Sequence, residues 1–354
     1  MSKKTPLIGV NESTAAQPPE PERPTPRQSE ESSEDVSRQL LAAVTQLSQV
    51  LEELPRLLRA VPPTIQAMRA PREAGNHYLV YVHGICRHDP GYSDPWWDAM
   101  SPYVPSLQPG DLGGTRREVL WSDLIGGTRA LARTNDAAAE LARRLRDTLA
   151  DRADRYVLRS SPPVTSSDEA ARALAVPRGL INIPGVNCIE DFTVYLTNNS
   201  VRARVIGRFL QVVEPLLNSG ARLEIISHSW GTVVAYEGLR QLDSSGASGR
   251  VHNWFTVGAA LSIREVKWQL LPEAQDGARP TLVEGWTNLD AYGDIVGGSL
   301  QPLGYHVDNE FLNLDAVGCS RVLGLVSPVC AHASYFQADN LTVNRDIFGR
   351  LIEG

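Results

Sequence analysis

Apolar residues follow two different spacings along this chain, and each spacing predicts a different element. Predominantly apolar runs over 78–85, 223–226 and 255–261 are typical of parallel strands that are buried on both faces. Apolar residues three or four positions apart predict helices over 201–217 and around 141–149. Because strands and helices alternate, we expect an α/β fold with a mostly parallel central sheet flanked by helices.

The N-terminal part of the chain has another pattern. Residues 1–33 are rich in Pro, Glu and Ser with few apolar residues, which predicts a disordered tail. Over 34–70 one apolar stripe predicts an added amphipathic helical segment, which Pro55 kinks or restarts. This segment either packs on the globular domain or binds a protein partner or a second copy through 34–60. The globular domain then covers 75–354.

Composition and charge exclude several classes of protein. The 354 residues, of which 42% are hydrophobic, are enough for one large domain with an appendage. A net charge of −7 argues against a general nucleic-acid binder. No segment reaches the roughly 18 uninterrupted apolar residues of a transmembrane helix, and the N-terminus lacks the apolar centre of a signal peptide. We therefore expect a cytoplasmic protein without a transmembrane span.

The four cysteines carry little chemical information. Cys86, Cys188, Cys319 and Cys330 have no C-x-x-C spacing and no nearby pair of histidines, so we expect no metal site. In a reducing compartment they are expected to be buried thiols. Cys319 and Cys330 are the pair that would form a disulfide if the protein were exported.

The sequence Ser227-His228-Ser229-Trp230-Gly231 separates an apolar run from a helical pattern, which predicts a strand, a tight turn and a helix. A serine at the tip of such a turn has a strained backbone and a helix N-terminus beneath it, where negative charge is favoured. The motif resembles the G-x-S-x-G nucleophile elbow of α/β-hydrolases, with Ser227 in the place of the first glycine. The resemblance implies the α/β-hydrolase fold, with Ser229 as the nucleophile; an ordinary strand-to-helix connection is the alternative.

The first predicted strand ends in His83-Gly84. Lipases and esterases that this pattern resembles use such a strand end for one half of the oxyanion hole. The resemblance implies that the backbone N–H groups of Ile85 and Trp230 hold the oxyanion.

A catalytic serine needs a base, and the base needs a group that orients it. In α/β-hydrolases the chain order is Ser, acid, His. Asp294 lies in an Asp-x-Val sequence that resembles the acid loop of lipase-like members, and Asp290 is the alternative acid. His332 begins a His-x-Ser-Tyr-aromatic sequence that resembles the ending of bacterial members, and His306 is the alternative base. His228 is expected to point into the structure.

The resemblance covers 78–336 and implies a serine hydrolase of the lipase or carboxylesterase type, with a small-molecule or lipid acyl ester as substrate and no cofactor. Thioester hydrolysis and acyl transfer use the same site geometry and stay open. A non-catalytic scaffold that recruits a partner through its N-terminal helix is the alternative from another class. Residues around 122–180 are a candidate cap over the site.

Overall fold

The computed structural model describes residues 76–125, 135–160, 188–247, 249–322 and 324–354. The predicted tail over 1–33 and the predicted helical segment over 34–70 lie outside these ranges, as does the predicted partner surface over 34–60. Among the helices of the described ranges, none has the length and apolar character needed to cross a membrane.

A six-stranded sheet forms the centre of the fold. Its strands are β1 His77–Val82, β2 Arg116–Val119, β3 Arg222–His228, β4 Val251–Val257, β5 Val283–Ala291 and β6 Asn309–Leu314. They lie in the order β2-β1-β3-β4-β5-β6, and all five pairings are parallel. The short strands β7 Arg321–Val322 and β8 Leu325–Val326 form a separate antiparallel pair. The predicted α/β class with a parallel central sheet is therefore confirmed.

Helices cover both faces of this sheet. They are α1 Asp94–Met100, α2 Asp136–Ser160, α3 Ile189–Thr197, α4 Asn199–Asn218, α5 Gly231–Ser245, α6 Arg264–Lys267, α7 Pro328–Ala333 and α8 Arg350–Glu353, which continues a π-helical segment Thr342–Gly349. Short 3₁₀ turns are Ser101–Tyr103, Pro105–Leu107, Ser122–Leu124, Ala260–Ser262, Pro272–Ala274, Gln301–Leu303 and Ser334–Phe336.

Alternate residues of β1 enter two separate hydrophobic clusters. Val80 and Val82 pack in the cluster that includes residues of α2, α3, α4 and α5. Leu79 and Tyr81 pack in the cluster that includes residues of α1 and of the C-terminal helices. Successive side chains of a strand point to opposite faces, so a strand covered on both sides is apolar at most positions. This explains the predominantly apolar runs of the sequence.

The boundaries differ from the sequence prediction at β4. The apolar run predicts a strand over 255–261, but β4 ends at Val257 because Gly258 has a φ of +54°. The chain then enters the 3₁₀ turn Ala260–Ser262. A left-handed glycine breaks the extended backbone although the residues around it stay apolar and buried.

The candidate cap over 122–180 falls only partly on described residues. Within it, the predicted helix is α2, and its Leu141, Leu145 and Leu149 are buried in the main hydrophobic cluster. The part over 161–180 lies outside the described ranges, so a mobile cap there stays a prediction.

All four cysteines form disulfides, so the expectation of buried thiols is wrong. Cys86 pairs with Cys188 across 102 residues of sequence, and Cys319 pairs with Cys330 across 11. The Cα–Cα distances of 5.4 and 5.7 Å lie within the range that disulfides need. Only the folded chain brings Cys86 to the start of α3, so spacing along the sequence could not reveal that pair.

Candidate active site

Ser229 lies in the tight turn between β3 and α5. Its φ is +57°, a left-handed conformation that residues other than glycine rarely adopt. Three backbone hydrogen bonds hold it there: its N–H donates to the Val257 carbonyl (2.9 Å), and its own carbonyl accepts from the N–H groups of Thr232 (3.1 Å) and Ala260 (3.3 Å). The strained strand–turn–helix geometry that the sequence predicts is therefore present.

Small residues surround this turn because other chain segments approach it closely. A Cβ atom at Gly231 would lie 2.1 Å from the carbonyl oxygen of His83, so only glycine fits. Ser227 is fully buried, and its hydroxyl donates to the Phe255 carbonyl (3.1 Å) and accepts from the Trp254 indole N–H (2.9 Å). Serine in the place of the first glycine is thus small enough for the turn and satisfies its own polar group.

Three predicted site residues form one chain of hydrogen bonds. His332, on α7, lies with Nε2 2.8 Å from Oγ of Ser229 and with Nδ1 2.8 Å from Oδ2 of Asp294. Ser229 and His332 are each only 4% exposed. A serine hydroxyl within reach of an imidazole that a carboxylate orients is the arrangement that activates a weak nucleophile.

The carboxylate of Asp294 accepts four hydrogen bonds. Its Oδ1 accepts from the backbone N–H groups of Val296 (2.8 Å) and Gly297 (3.1 Å), and its Oδ2 accepts from the Tyr335 hydroxyl (2.7 Å) as well as from His332. Burial by itself would raise the pKa of Asp294, but the charge of His332 and these hydrogen bonds outweigh burial and lower the pKa to about 2. Asp294 is therefore ionised at neutral pH.

Asp290, the alternative acid, lies at the end of β5. Its buried Oδ1 has no hydrogen-bond partner among the described residues. A Cβ atom at Gly297 would lie 2.4 Å from that oxygen and 3.1 Å from Oδ2 of Asp294, so the two carboxyl groups flank one glycine. Burial and the neighbouring charge of Asp294 raise the pKa of Asp290 well above its ordinary value. Asp290 is outside the hydrogen-bond chain of Ser229.

His306, the alternative base, lies elsewhere. It is exposed on the segment before β6, and its backbone N–H donates to the Gly277 carbonyl (2.9 Å). Within the described part of the chain its ring makes no hydrogen bond to Ser229, whose hydroxyl is 2.8 Å from His332. Of the two histidines that the sequence leaves open, the structure brings His332 to the serine.

The end of β1 lies against the elbow. The backbone N–H of Trp121 donates to Nε2 of His83 (3.3 Å), so Nε2 is an acceptor and the ring proton is on Nδ1. Nδ1 then donates to the Gly84 carbonyl (2.6 Å). Burial and the neighbouring His88 lower the pKa of His83 well below its ordinary value, so the ring stays neutral. Because the Gly84 carbonyl and the Ile85 N–H belong to one peptide plane, His83 fixes the direction of that N–H.

Ile85 and Trp230 are the two predicted oxyanion donors. Within the described residues, neither backbone N–H donates a hydrogen bond to another protein group. Trp230 directly precedes α5, and its indole packs on Phe192 with ring centroids 4.4 Å apart. Trp230 directly follows Ser229, and Ile85 directly follows Gly84, which contacts Ser229; a role of their N–H groups as oxyanion donors stays a prediction.

His228 points into the structure, as the sequence predicts. Its Nε2 donates to the His332 carbonyl (2.9 Å), and its ring lies edge-on to Trp96 and Phe336, which stack on each other at 3.9 Å. Burial and the charge of His332 lower the pKa of His228 to about 3. A neutral His228 therefore holds the backbone of the residue that carries the base.

Arg152 is a supporting residue that sequence reasoning missed. Its guanidinium donates to the carbonyls of Ile295, Val296 and Gly297 and to Oγ and the carbonyl of Ser262, at 2.6 to 3.2 Å. The carbonyls of residues 295–297 directly follow Asp294, so Arg152 holds the loop that carries this aspartate. It is one of several arginines on α2, and nothing in the sequence distinguishes it from the others. Arg152 and Asp290 also line a cavity of about 390 Å³ beside this loop.

The structure thus joins Ser229, His332 and Asp294 and leaves Asp290 and His306 outside their hydrogen-bond chain. Over the described ranges, no three His, Cys, Asp or Glu side chains are grouped so that they could hold a metal ion. Comparison of the chain with models of known protein families, with curated proteins and with solved structures gives no significant match. The interpretation of the site therefore rests on its own geometry.

Proposed function

We propose that this protein is a serine hydrolase of the α/β-hydrolase fold that cleaves acyl esters through a covalent acyl-enzyme. The observation that carries the proposal is the continuous hydrogen-bond chain from Ser229 Oγ through His332 to Asp294, which begins at a serine with a left-handed backbone. Ser229 follows β3 and Asp294 follows β5, at the edge of the sheet where the carboxyl ends of parallel strands meet, and His332 reaches them from α7, which comes after β6 and the β7–β8 pair.

In the proposed reaction Oγ of Ser229 attacks the acyl carbonyl carbon while Nε2 of His332 accepts the hydroxyl proton. Asp294 accepts the Nδ1–H hydrogen bond and stabilises the imidazolium that forms. When the tetrahedral intermediate collapses, the imidazolium donates its proton to the leaving alkoxide, and the acyl group stays on Ser229. Water then attacks the acyl-enzyme by the same route in reverse, which releases the acid and restores the serine.

The negative charge of each tetrahedral intermediate needs donors that are already in place. The N–H groups of Ile85 and Trp230 are the proposed donors, and one such donor contributes about 3 to 4 kcal/mol to transition-state stabilisation. His83 supports this role because it fixes the peptide plane between Gly84 and Ile85. The N-terminus of α5 beneath Ser229 adds a favourable dipole.

The disulfides bear on the compartment in which the protein works. Disulfides persist in oxidising compartments and are rare in the cytoplasm. We infer from Cys86–Cys188 and Cys319–Cys330 that an oxidising compartment suits this chain better than the cytoplasm that the sequence suggests. Alkylation of the protein as isolated, followed by mass spectrometry, tests this: four alkylated thiols would contradict the inference.

A fluorophosphonate probe tests the proposed function because it phosphonylates activated serines whatever the natural acyl group. We expect the wild-type protein to be labelled, and Ser229→Ala and His332→Ala to abolish labelling. Asp294→Ala should reduce the rate on the order of 10⁴-fold, whereas Asp290→Ala should not. A folded wild-type protein that resists the probe would contradict the proposal. A panel of esters and thioesters of graded acyl length then separates ester from thioester hydrolysis.

A further inference from the structure

The hydroxyl of Tyr335 lies beside the triad without touching the serine. Tyr335 is fully buried in the 3₁₀ turn Ser334–Phe336, which directly follows α7. Its hydroxyl oxygen lies 2.7 Å from Oδ2 of Asp294 and 2.8 Å from the backbone nitrogen of Ala291. The reaction proposed above does not use this group.

The directions of these two hydrogen bonds follow from the chemistry of the partners. The Ala291 N–H can only donate, so the phenol oxygen accepts from it, and the phenol proton is left to donate to the ionised Oδ2 of Asp294. That same Oδ2 accepts the Nδ1–H of His332. Two donors from one short chain segment, three residues apart, therefore meet at one carboxylate oxygen.

The phenol also separates the carboxylate from a competing donor. Ala291 ends β5, and its N–H would be a buried donor without an acceptor if the hydroxyl were absent. Oδ2 of Asp294 is a charged acceptor close to that N–H, since both bind the same hydroxyl. A carboxylate that turns toward that N–H turns away from His332.

We propose that Tyr335 is a positioning residue, whose hydroxyl bridges the end of β5 to Oδ2 of Asp294 and so keeps the carboxylate aligned with Nδ1 of His332. The inference rests on the proposed serine hydrolase function for its effect on rate. The alignment itself is a property of the folded protein and is measurable without any substrate.

The test compares Tyr335→Phe with Tyr236→Phe in the full chain. Tyr236 is a matched control because it is fully buried and its hydroxyl donates one hydrogen bond, to the Ala278 carbonyl at 3.0 Å, away from the triad. A hydrogen bond to a charged group corresponds to a change of about tenfold to a hundredfold in an equilibrium or a rate. We therefore expect Tyr335→Phe to slow fluorophosphonate labelling by about that factor and Tyr236→Phe to leave the rate unchanged.

The pH profile separates positioning from a loss of packing. The Tyr335 hydrogen bond offsets part of the negative charge of Asp294. Without it the carboxylate favours the protonated form of His332 more strongly, so the acidic limb of the labelling profile, which reports protonation of this base, should move to higher pH. Lost packing would lower the rate at every pH without moving the limb. Equal rates and superimposable profiles for Tyr335→Phe and the wild type would overturn the proposal.

Proton NMR gives a readout that does not depend on hydrolysis. The Nδ1–H of His332 should give a low-field signal that Tyr335→Phe shifts and Tyr236→Phe does not. If the wild type does not react with the probe, the proposed function fails while this shift still decides the role of Tyr335. If Tyr335→Phe does not fold, the spectrum of the wild type tests the proposal instead. Two protons that both point at Oδ2 of Asp294 lie close enough to give a cross-peak between the Tyr335 hydroxyl and Nδ1–H of His332. A low-field Nδ1–H signal without that cross-peak overturns the proposal.

Discussion

Gly84 and Ser229 touch across the ends of β1 and β3, and a Cβ atom at Gly84 would lie 2.9 Å from Cβ and 3.2 Å from Oγ of the serine. The contact joins the proposed oxyanion segment to the proposed nucleophile. It leaves no room for a side chain at Gly84, although φ at this glycine lies outside the left-handed region.

Gly84→Ala is therefore expected to displace Ser229 and slow fluorophosphonate labelling strongly, while overpacking costs about 1 to 3 kcal/mol of unfolding free energy. Gly207→Ala is the matched control, because Gly207 lies inside α4 with nothing within 4 Å of the added Cβ atom. There alanine should stabilise the protein by about 0.5 to 1 kcal/mol. Urea unfolding and labelling rates measure both effects, and an active, stable Gly84→Ala would contradict the close contact.

Arg152→Met should destabilise the loop that carries Asp294. The change removes the donor for three consecutive carbonyls and for Ser262, and buried acceptors without a partner cost about 1 to 3 kcal/mol. Arg155→Met is the control on the same helix, since Arg155 is 56% exposed and pairs with Asp151. An exposed pair of this kind contributes at most about 0.5 kcal/mol. Equal unfolding midpoints for the two variants would rule out a structural role for the Arg152 hydrogen bonds.

Asp290→Asn should stabilise the protein at neutral pH. The folded state raises the pKa of Asp290 above the ordinary value of 3.8. The protonated carboxyl group therefore stabilises the fold below about pH 4, and this stabilisation is lost as the pH rises toward the folded pKa. Each unit of pKa difference corresponds to about 1.4 kcal/mol. The variant should exceed the wild type in unfolding free energy at pH 7 and match it near pH 3.5. Urea titrations at the two pH values measure the difference, and a wild type that is the more stable protein at pH 7 would refute a raised pKa of Asp290.

The two disulfides should differ in their contribution to stability. Replacing Cys86 and Cys188 by serine opens a loop of 102 residues, whereas replacing Cys319 and Cys330 opens one of 11. Because loop-closure entropy grows with loop length, the first pair should cost about 2 kcal/mol more than the second. Calorimetric unfolding of the two double variants measures this difference. Because Cys86 directly follows Ile85, fluorophosphonate labelling should also slow in the variant that lacks Cys86 and Cys188. Identical unfolding curves for the two double variants would argue against the Cys86–Cys188 disulfide.

Local patterns in the sequence were sufficient for the α/β class and for the turn at Ser229. A strand buried on both faces is apolar at most positions, and a tight turn between such a strand and a helix favours small residues on either side of the nucleophile. These demands act on neighbouring residues, so they are visible along the chain. The order of Ser229, Asp294 and His332 along the chain, read through the resemblance, singled out these three residues, and their side chains lie in one hydrogen-bond chain.

Only the tertiary structure decided between Asp294 and Asp290 and paired Cys86 with Cys188. It also brought Arg152 and Tyr335 to the loop of the acid. The two aspartates are four residues apart, and the sequence favours Asp294 only through its Asp-x-Val resemblance; what separates them in the structure is which carboxylate receives donors from distant segments. Contacts of this kind depend on how α2, α7 and the end of β5 pack together, and packing across long sequence separations leaves no local pattern to read.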